Sequence, residues 1–250
     1  MGTANLHALL LLSDSALPLG SFAFSSGLES FLAHHKEQHT SSASRLKAFD
    51  AFLDQSVANV ASTALPYLLT AHHHPEQLED LDNDFDASTP CTVARRASVA
   101  QGRALMGIWE KALLASIPPD APAPAVQALQ AFSAALKAVS APSGHGLGLN
   151  THFAPLFGAV CAALNLSPHE AAYLFLLNHA KAVLSAAVRA SVMGPYQSQT
   201  ILASGKLQHC INECVEREKD RSVKDAVVTV PTMDLWMGRH ELLYSRIFNS

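Results

Sequence analysis

Basic charge is what the first part of this sequence lacks. No Lys or Arg precedes Lys36, and across 250 residues 17 basic side chains stand against 21 acidic ones, a net charge of −4 with histidines neutral. A phosphate backbone needs a basic stripe, so nucleic acid is not expected as a partner. Charged residues of all kinds are only 15% of the chain against 49% hydrophobic, which excludes wholesale disorder. Cysteine is also scarce. The four, Cys91, Cys161, Cys210 and Cys214, form no CxxC pair and are too few to staple a chain with a large core, so a reducing compartment is expected.

Enzyme signatures are absent as well: there is no GxxxxGK[ST], no GxSxG, no HExxH and no strand followed by GxGxxG. Gly144, Gly146 and Gly148 imitate the last but read as a loop. The Leu9–Leu12 run has no basic residue before it and is cut by Ser13 and Asp14, so no secretory leader is expected. Ala171 to Val192 is long and apolar, yet it contains Asn178, His179, Lys181 and Arg189, so it reads as a buried helix of a soluble protein rather than a membrane span.

Apolar residues recur at three and four rather than two, which predicts an all-α fold, a single compact multi-helix domain spanning residues 1–250. Helices are expected at about 3–13, 21–36, 42–63, 65–74, 76–87, 90–115, 124–139, 152–165, 168–192, 196–219 and 232–245. Ser167-Pro168-His169-Glu170 is a capping box with Pro at the first helical position. Gly194-Pro195 supplies the stop at the other end of that helix, through a residue tolerant of positive φ. The stretches 116–124 and 140–148 are Pro- and Gly-rich loops, and Val227–Val230 is an extended connector without a second strand to pair with.

Thirteen histidines are the oddity of composition. His72, His73 and His74, followed by Glu76, Glu79, Asp80, Asp82, Asp84 and Asp86, read as a helix end with a solvated acidic face. The alternative is a metal-dependent enzyme or a stand-alone nickel-binding metallochaperone using the His-rich segments. His34, His35 and His39 are read the same way. His209, Cys210, Glu213 and Cys214 occupy neighbouring faces of one helix and read as packing with two half-buried thiols, since a zinc site wants three or four ligands. On the 168–192 helix Asn178, Lys181, Ser185 and Arg189 form one polar stripe: a solvated edge, the lining of a cavity, or a partner contact. The last twenty residues are apolar and aromatic, with Leu235, Trp236, Leu242, Leu243, Tyr244, Ile247 and Phe248, and must bury against the chain's own core or against another protein.

The two ends also carry a resemblance. Ser13, Asp14, Ala16, Leu17, Pro18, Gly20, Phe22, Ser25, Gly27, Leu28 and Glu29 match an N-terminal pattern, and Asp234, His240, Glu241, Tyr244, Ser245, Arg246, Phe248 and Ser250 a C-terminal one, of the UreF family of urease accessory proteins. Residues 97–105, 152–164 and 185–189 agree more loosely. The resemblance implies an all-helical, non-enzymatic, cytoplasmic assembly factor, usually dimeric. It joins a UreD/UreH-type accessory protein and a UreG-type GTPase, influences the GTPase cycle, and helps deliver nickel to apo-urease. No cofactor or metal ligand is expected in this chain; nickel is handled by the assembled complex. On this reading residues of about 1–30 and 231–250 contact the UreD-type subunit through Asp14, Phe22, Ser25, Glu29, Asp234, His240, Glu241, Tyr244, Ser245, Arg246 and Phe248. Tyr244 and Phe248 act as anchors and Arg246 as the charge donor, while Lys181 and Arg189 face the GTPase.

Overall fold

A computed structural model describes residues 3–35, 41–117, 122–139 and 148–249. The helices run α1 (Thr3–Ser13), α2 (Leu28–His34), α3 (Ser42–His73), α4 (Leu78–Ser88), α5 (Thr92–Ile108), α6 (Ala123–Val139), α7 (Phe153–Ala163), α8 (Pro168–Arg189), α9 (Pro195–Leu202), α10 (Gly205–Glu218) and α11 (Pro231–Arg239). No strand occurs among the described residues, and the helices share one hydrophobic core, so the all-α expectation holds. Parts of the expected loops at 116–124 and 140–148 lie outside the described residues, as do His39, Gly144, Gly146 and Ser250.

The expected break near residue 64 is absent, and the reason is local. Pro66 has no N–H to give the Ser62 carbonyl, which ordinarily costs about 3 kcal/mol and kinks a helix. Here Val227 N–H bonds that carbonyl at 3.2 Å. The Ser62 hydroxyl pairs with Thr229 at 3.0 Å, and Val230 N–H bonds Asn59 Oδ1 at 2.9 Å. The β-branched run is thus an extended connector, as expected, and it mends the helix that the proline interrupts.

At the centre lies α7, with residues 154 to 163 all buried. It approaches α3 so closely that a Cβ on Gly158 would lie 2.0 Å from the Leu68 carbonyl oxygen, and α5 meets its start where a Cβ on Gly102 would lie 1.8 Å from Thr151 O. The third wall is α8, opened by the expected capping box: Glu170 N–H bonds Ser167 Oγ at 3.2 Å and Ser167 N–H bonds Glu170 Oε2 at 2.8 Å. It is long and apolar enough to cross a membrane, but its apolar surface faces α3, α7 and α10.

Its end differs from expectation. Ser191, at φ 58°, takes the left-handed position, and Val192 N–H returns to Ala187 O at 2.9 Å, a Schellman closure. Gly194 has φ −82° and instead precedes α9, with Pro195 at its first position. Other boundaries shift for comparable reasons. The 196–219 segment is two helices because Ser204 Oγ accepts Leu207 N–H at 3.2 Å and starts α10. The 90–115 segment loosens into a π turn over Trp109–Leu113, and the 21–36 segment is only a single turn over Ser21–Ala23 before α2.

Candidate functional site

The two ends of the chain fold onto each other. Two glycines bring the N-terminal segment there, Gly20 at φ 71° and Gly27 at φ 84°, a conformation with little cost only for glycine. Gly27 is also tightly packed: a Cβ would stand 3.1 Å from Met237 N and from Trp236 Cβ. Trp236 in turn packs edge-on against Phe31 at 5.8 Å and His35 at 5.0 Å, which seats α11 on α2.

Glu29, in the first turn of α2, is the centre of the junction. Its carboxylate accepts the His240 ring nitrogen at 2.9 Å, Ile247 N–H at 2.6 Å and Phe248 N–H at 3.2 Å. The His240 ring is fully buried and Glu29 nearly so. Charge-assisted hydrogen bonds in a dry setting are the strong ones, and one acceptor here gathers a helix, a turn and a tail. Ser25 lies buried below and receives Glu29 N–H at 3.4 Å, while Asn249 N–H closes onto Ala23 O at 2.9 Å.

Arginines bind the rim. Arg189 of α8 donates to the Phe22 carbonyl and sets its guanidinium 4.4 Å above the Phe248 ring. Arg96 of α5 pairs with Glu241 and also reaches Asn249 O at 3.3 Å, and Arg246 meets the other Glu241 oxygen at 2.9 Å. The hydrogen bond from Arg96, joined by that from Arg246, holds the Glu241 carboxyl below the usual carboxylate range.

The polar stripe on α8, half-buried except for the exposed Arg189, is engaged with the chain itself. Asn178 donates to Leu12 O at 2.9 Å, Lys181 to Ser13 O and Arg189 to Phe22 O, so the stripe holds the N-terminal segment through its carbonyls. Asn178, Lys181 and Ser185, with Asp14, line a cavity of about 290 Å³ between that segment and α8. Burial lowers the Lys181 pKa, with nearby Asp14 opposing, and burial lowers that of Arg189 as well. Neither cation expected to face a GTPase is therefore free.

The expected contact residues thus divide. Phe248 is 5% exposed and belongs to the chain's own core, whereas Tyr244 at 106% stands fully in solvent with Leu242, Ile247, Leu235 and Phe22. Phe248 is corrected from an offered anchor to an internal one, and Arg246 is engaged with Glu241. Ser245 is exposed, and so is Asp14, whose Oδ1 accepts Ala16 N–H at 2.9 Å. Asp234 points elsewhere, into a cavity with Ser98, Gln101, Phe153 and Phe175, where burial raises its pKa.

The acidic face of α4 also departs from expectation. Asp82 is 1% exposed and accepts the backbone N–H groups of Asn150 at 2.7 Å, Thr151 at 3.0 Å and His152 at 2.5 Å. His152, fully buried, bridges Ser98 Oγ at 3.1 Å and Asp86 Oδ1 at 3.0 Å. The order Ser–His–Asp resembles a hydrolytic triad, but Ser98 Oγ already accepts Phe153 N–H at 3.1 Å, and the set serves to fix the start of α7. The sequence offered no signal for this, since acids at these spacings look the same on a solvated helix. The His72–His74 tract does not converge: His72 bonds Leu166 O at 2.8 Å and His74 lies 3.4 Å from Glu76. Among the described residues no group of three His, Cys, Asp or Glu gathers as a metal site.

Comparison with known proteins decides the family. The UreF profile matches residues 44–205, well over half of the chain. The chain belongs to the UreF family. It is 36% identical over 244 residues to an uncharacterized urease accessory protein UreF-like of Schizosaccharomyces pombe, covering 98% of this chain and 97% of that one. Urease accessory protein F of Oryza sativa subsp. indica is 30% identical over 243 residues, covering 95% and 82%, and that of Arabidopsis thaliana 29% over 245, covering 96% and 90%. As a UreF-family member the chain is a urease accessory protein rather than an enzyme, and its role implies partnership with other components of urease maturation. Both terminal segments lie outside the matched profile, while the alignments to full-length relatives reach nearly the whole chain.

Proposed function

We propose that the exposed rim of the terminal junction is where this UreF-family chain binds a UreD/UreH-type accessory protein. The resulting complex, dimeric through this chain and working in the cytoplasm, recruits a UreG-type GTPase and hands nickel, the cargo, to apo-urease. One observation carries the reading: Leu242, Tyr244 and Ile247 stand in solvent on a backbone fixed from beneath by Glu29, His240 and Arg96. A tail left loose would pay an ordering cost on binding; this one is already ordered, and an exposed aromatic such as Tyr244 on a rigid frame concentrates interface energy. Four cysteines, all free, suit the reducing cytoplasm. Lys181 and Arg189 contribute to GTPase recruitment indirectly, by holding the N-terminal segment in place, and the influence on the GTPase cycle follows from assembly of the complex.

Co-expression with a UreD/UreH-type subunit, followed by size-exclusion chromatography with mass measurement, tests this. The paired substitution Leu242→Ala with Tyr244→Ala is expected to abolish co-elution while far-UV circular dichroism stays unchanged. Undiminished co-elution of that variant defeats the proposal.

A further inference from the structure

Cys210 and Cys214 lie one turn apart on α10, both free, the second buried and the first half-buried. Their thiols adjoin each other, and Arg217 donates to the Cys214 sulfur at 3.7 Å. The proposed function uses neither. Cβ atoms one turn apart on a helix are separated by about 5–6 Å, whereas a disulfide requires about 3.5–4.5 Å, so the intact helix does not close one. A metal ion bridging two thiolates reaches further, because two metal–sulfur bonds of about 2.3 Å place the sulfurs as much as about 4.6 Å apart. That span suits the helix.

Ligand number then selects the ion. A closed zinc site takes four ligands and nickel(II) favours a tetragonal set, but here no third His, Cys, Asp or Glu joins the pair among the described residues. Two soft sulfurs in line satisfy a monovalent d¹⁰ ion. We propose that Cys210 and Cys214 together bind one copper(I)-class ion in a linear sulfur–metal–sulfur bridge along α10.

Binding is proton exchange without redox. The ion displaces the remaining thiol protons to solvent, two metal–sulfur bonds form, and the bis-thiolate complex carries one negative charge. Arg217 beside Cys214 offsets that charge, while Asp54 and Glu213 near Cys210 and Glu218 near Cys214 oppose it. Arg217, donating to the Cys214 sulfur, favours a thiolate there, and half-exposed Cys210 gives access from solvent.

The test is anaerobic titration of the reduced full-length chain with copper(I) buffered by a colorimetric chelator, read by native mass spectrometry. One ion per chain is expected, lost in Cys210→Ser and in Cys214→Ser and retained in Cys91→Ser, with nickel(II) held by none of these positions. Copper(I) retained by the Cys210 or Cys214 variants, copper(I) left wholly with the chelator, or nickel(II) bound stoichiometrically through the same two cysteines overturns the proposal. Cys214 is buried and its serine variant could misfold; Cys210→Ser, at the more open position, then decides alone.

Discussion

Glu29 and His240, separated by 211 positions in the chain, meet at 2.9 Å inside the protein. The carboxylate that receives the imidazole also receives two backbone N–H groups of the tail, so the last residues are held by a side chain from the first helices.

Glu29→Gln keeps the shape and removes the charge. An amide offers one acceptor oxygen where the carboxylate offers two, and at least one donor among His240, Ile247 and Phe248 loses its partner. The expected loss is about 1–3 kcal/mol by urea denaturation, accompanied by faster proteolytic trimming of the C-terminal segment. Equal stability with an equally protected tail would contradict the clasp.

Gly20 and Gly27 separate strain from crowding. Both hold positive φ, 71° and 84°, but only Gly27 has neighbours, Met237 N and Trp236 Cβ at 3.1 Å. Alanine at Gly20 is expected to cost about 1–2 kcal/mol from conformation alone, and alanine at Gly27 more, because α11 must shift as well. Thermal denaturation of the two variants side by side gives the order; Gly20→Ala as the more damaging would contradict the packing.

A second pair of glycines lies on α5. A Cβ on Gly102 would collide with Thr151 O at 1.8 Å, while one on Gly107 meets nothing within 4 Å. Backbone cannot swing aside as a flexible side chain does, so Gly102→Ala is expected to unfold the protein or cost more than about 3 kcal/mol. Gly107→Ala is expected to stabilise by about 0.5–1 kcal/mol through helix propensity. Denaturant midpoints measure both.

Fold class was legible in the sequence because spacing at three and four is written in the apolar residues themselves, and the Ser167–Glu170 box was legible because its hydrogen bonds are local. What failed was whatever depended on a distant partner. A break was expected near residue 64, and the helix instead runs on through Pro66 because Val227, far along the chain, takes the orphaned Ser62 carbonyl. Asp82 read as solvated because the three N–H groups it receives lie at the start of α7. At the candidate site the motif residues were all visible, but not that Glu29 and His240 are partners, nor that Phe248 turns inward while Tyr244 turns out.

His179 makes stability depend on pH. It is half-buried on α8, bonded to Ser56 Oγ at 2.8 Å, and desolvation depresses it from 6.5 to about 4. A depressed imidazole is neutral in the folded state, and the unfolded state binds the proton more readily, so folding loses ground as pH falls. The contribution is complete above about pH 6.5 and lost progressively toward about pH 4, about 3 kcal/mol at 1.36 kcal/mol per unit. Denaturation at pH 7 and pH 4 is expected to differ by that much more in the native sequence than in His179→Leu. His72, likewise depressed by burial, acts in the same direction.

Tyr244 and Phe248 sit four residues apart and are expected to fail in opposite ways. Phe248 packs beneath the Arg189 guanidinium, with its own N–H on Glu29, so truncation removes buried ring surface, opens a void and strips the cation of its ring. Phe248→Ala is expected to cost about 3–5 kcal/mol, the usual range for an aromatic removed from a core. Tyr244 touches little of its own chain at 106% exposure, and Tyr244→Ala is expected to leave the melting temperature unchanged. With a UreD/UreH-type partner the ranking reverses in kind: the Tyr244 variant, fully folded, binds more weakly through a faster off-rate, as loss of an interface aromatic does. If instead Tyr244→Ala melts early or Phe248→Ala melts normally, the inward and outward assignments of the tail are interchanged and the exposed rim is not the surface described.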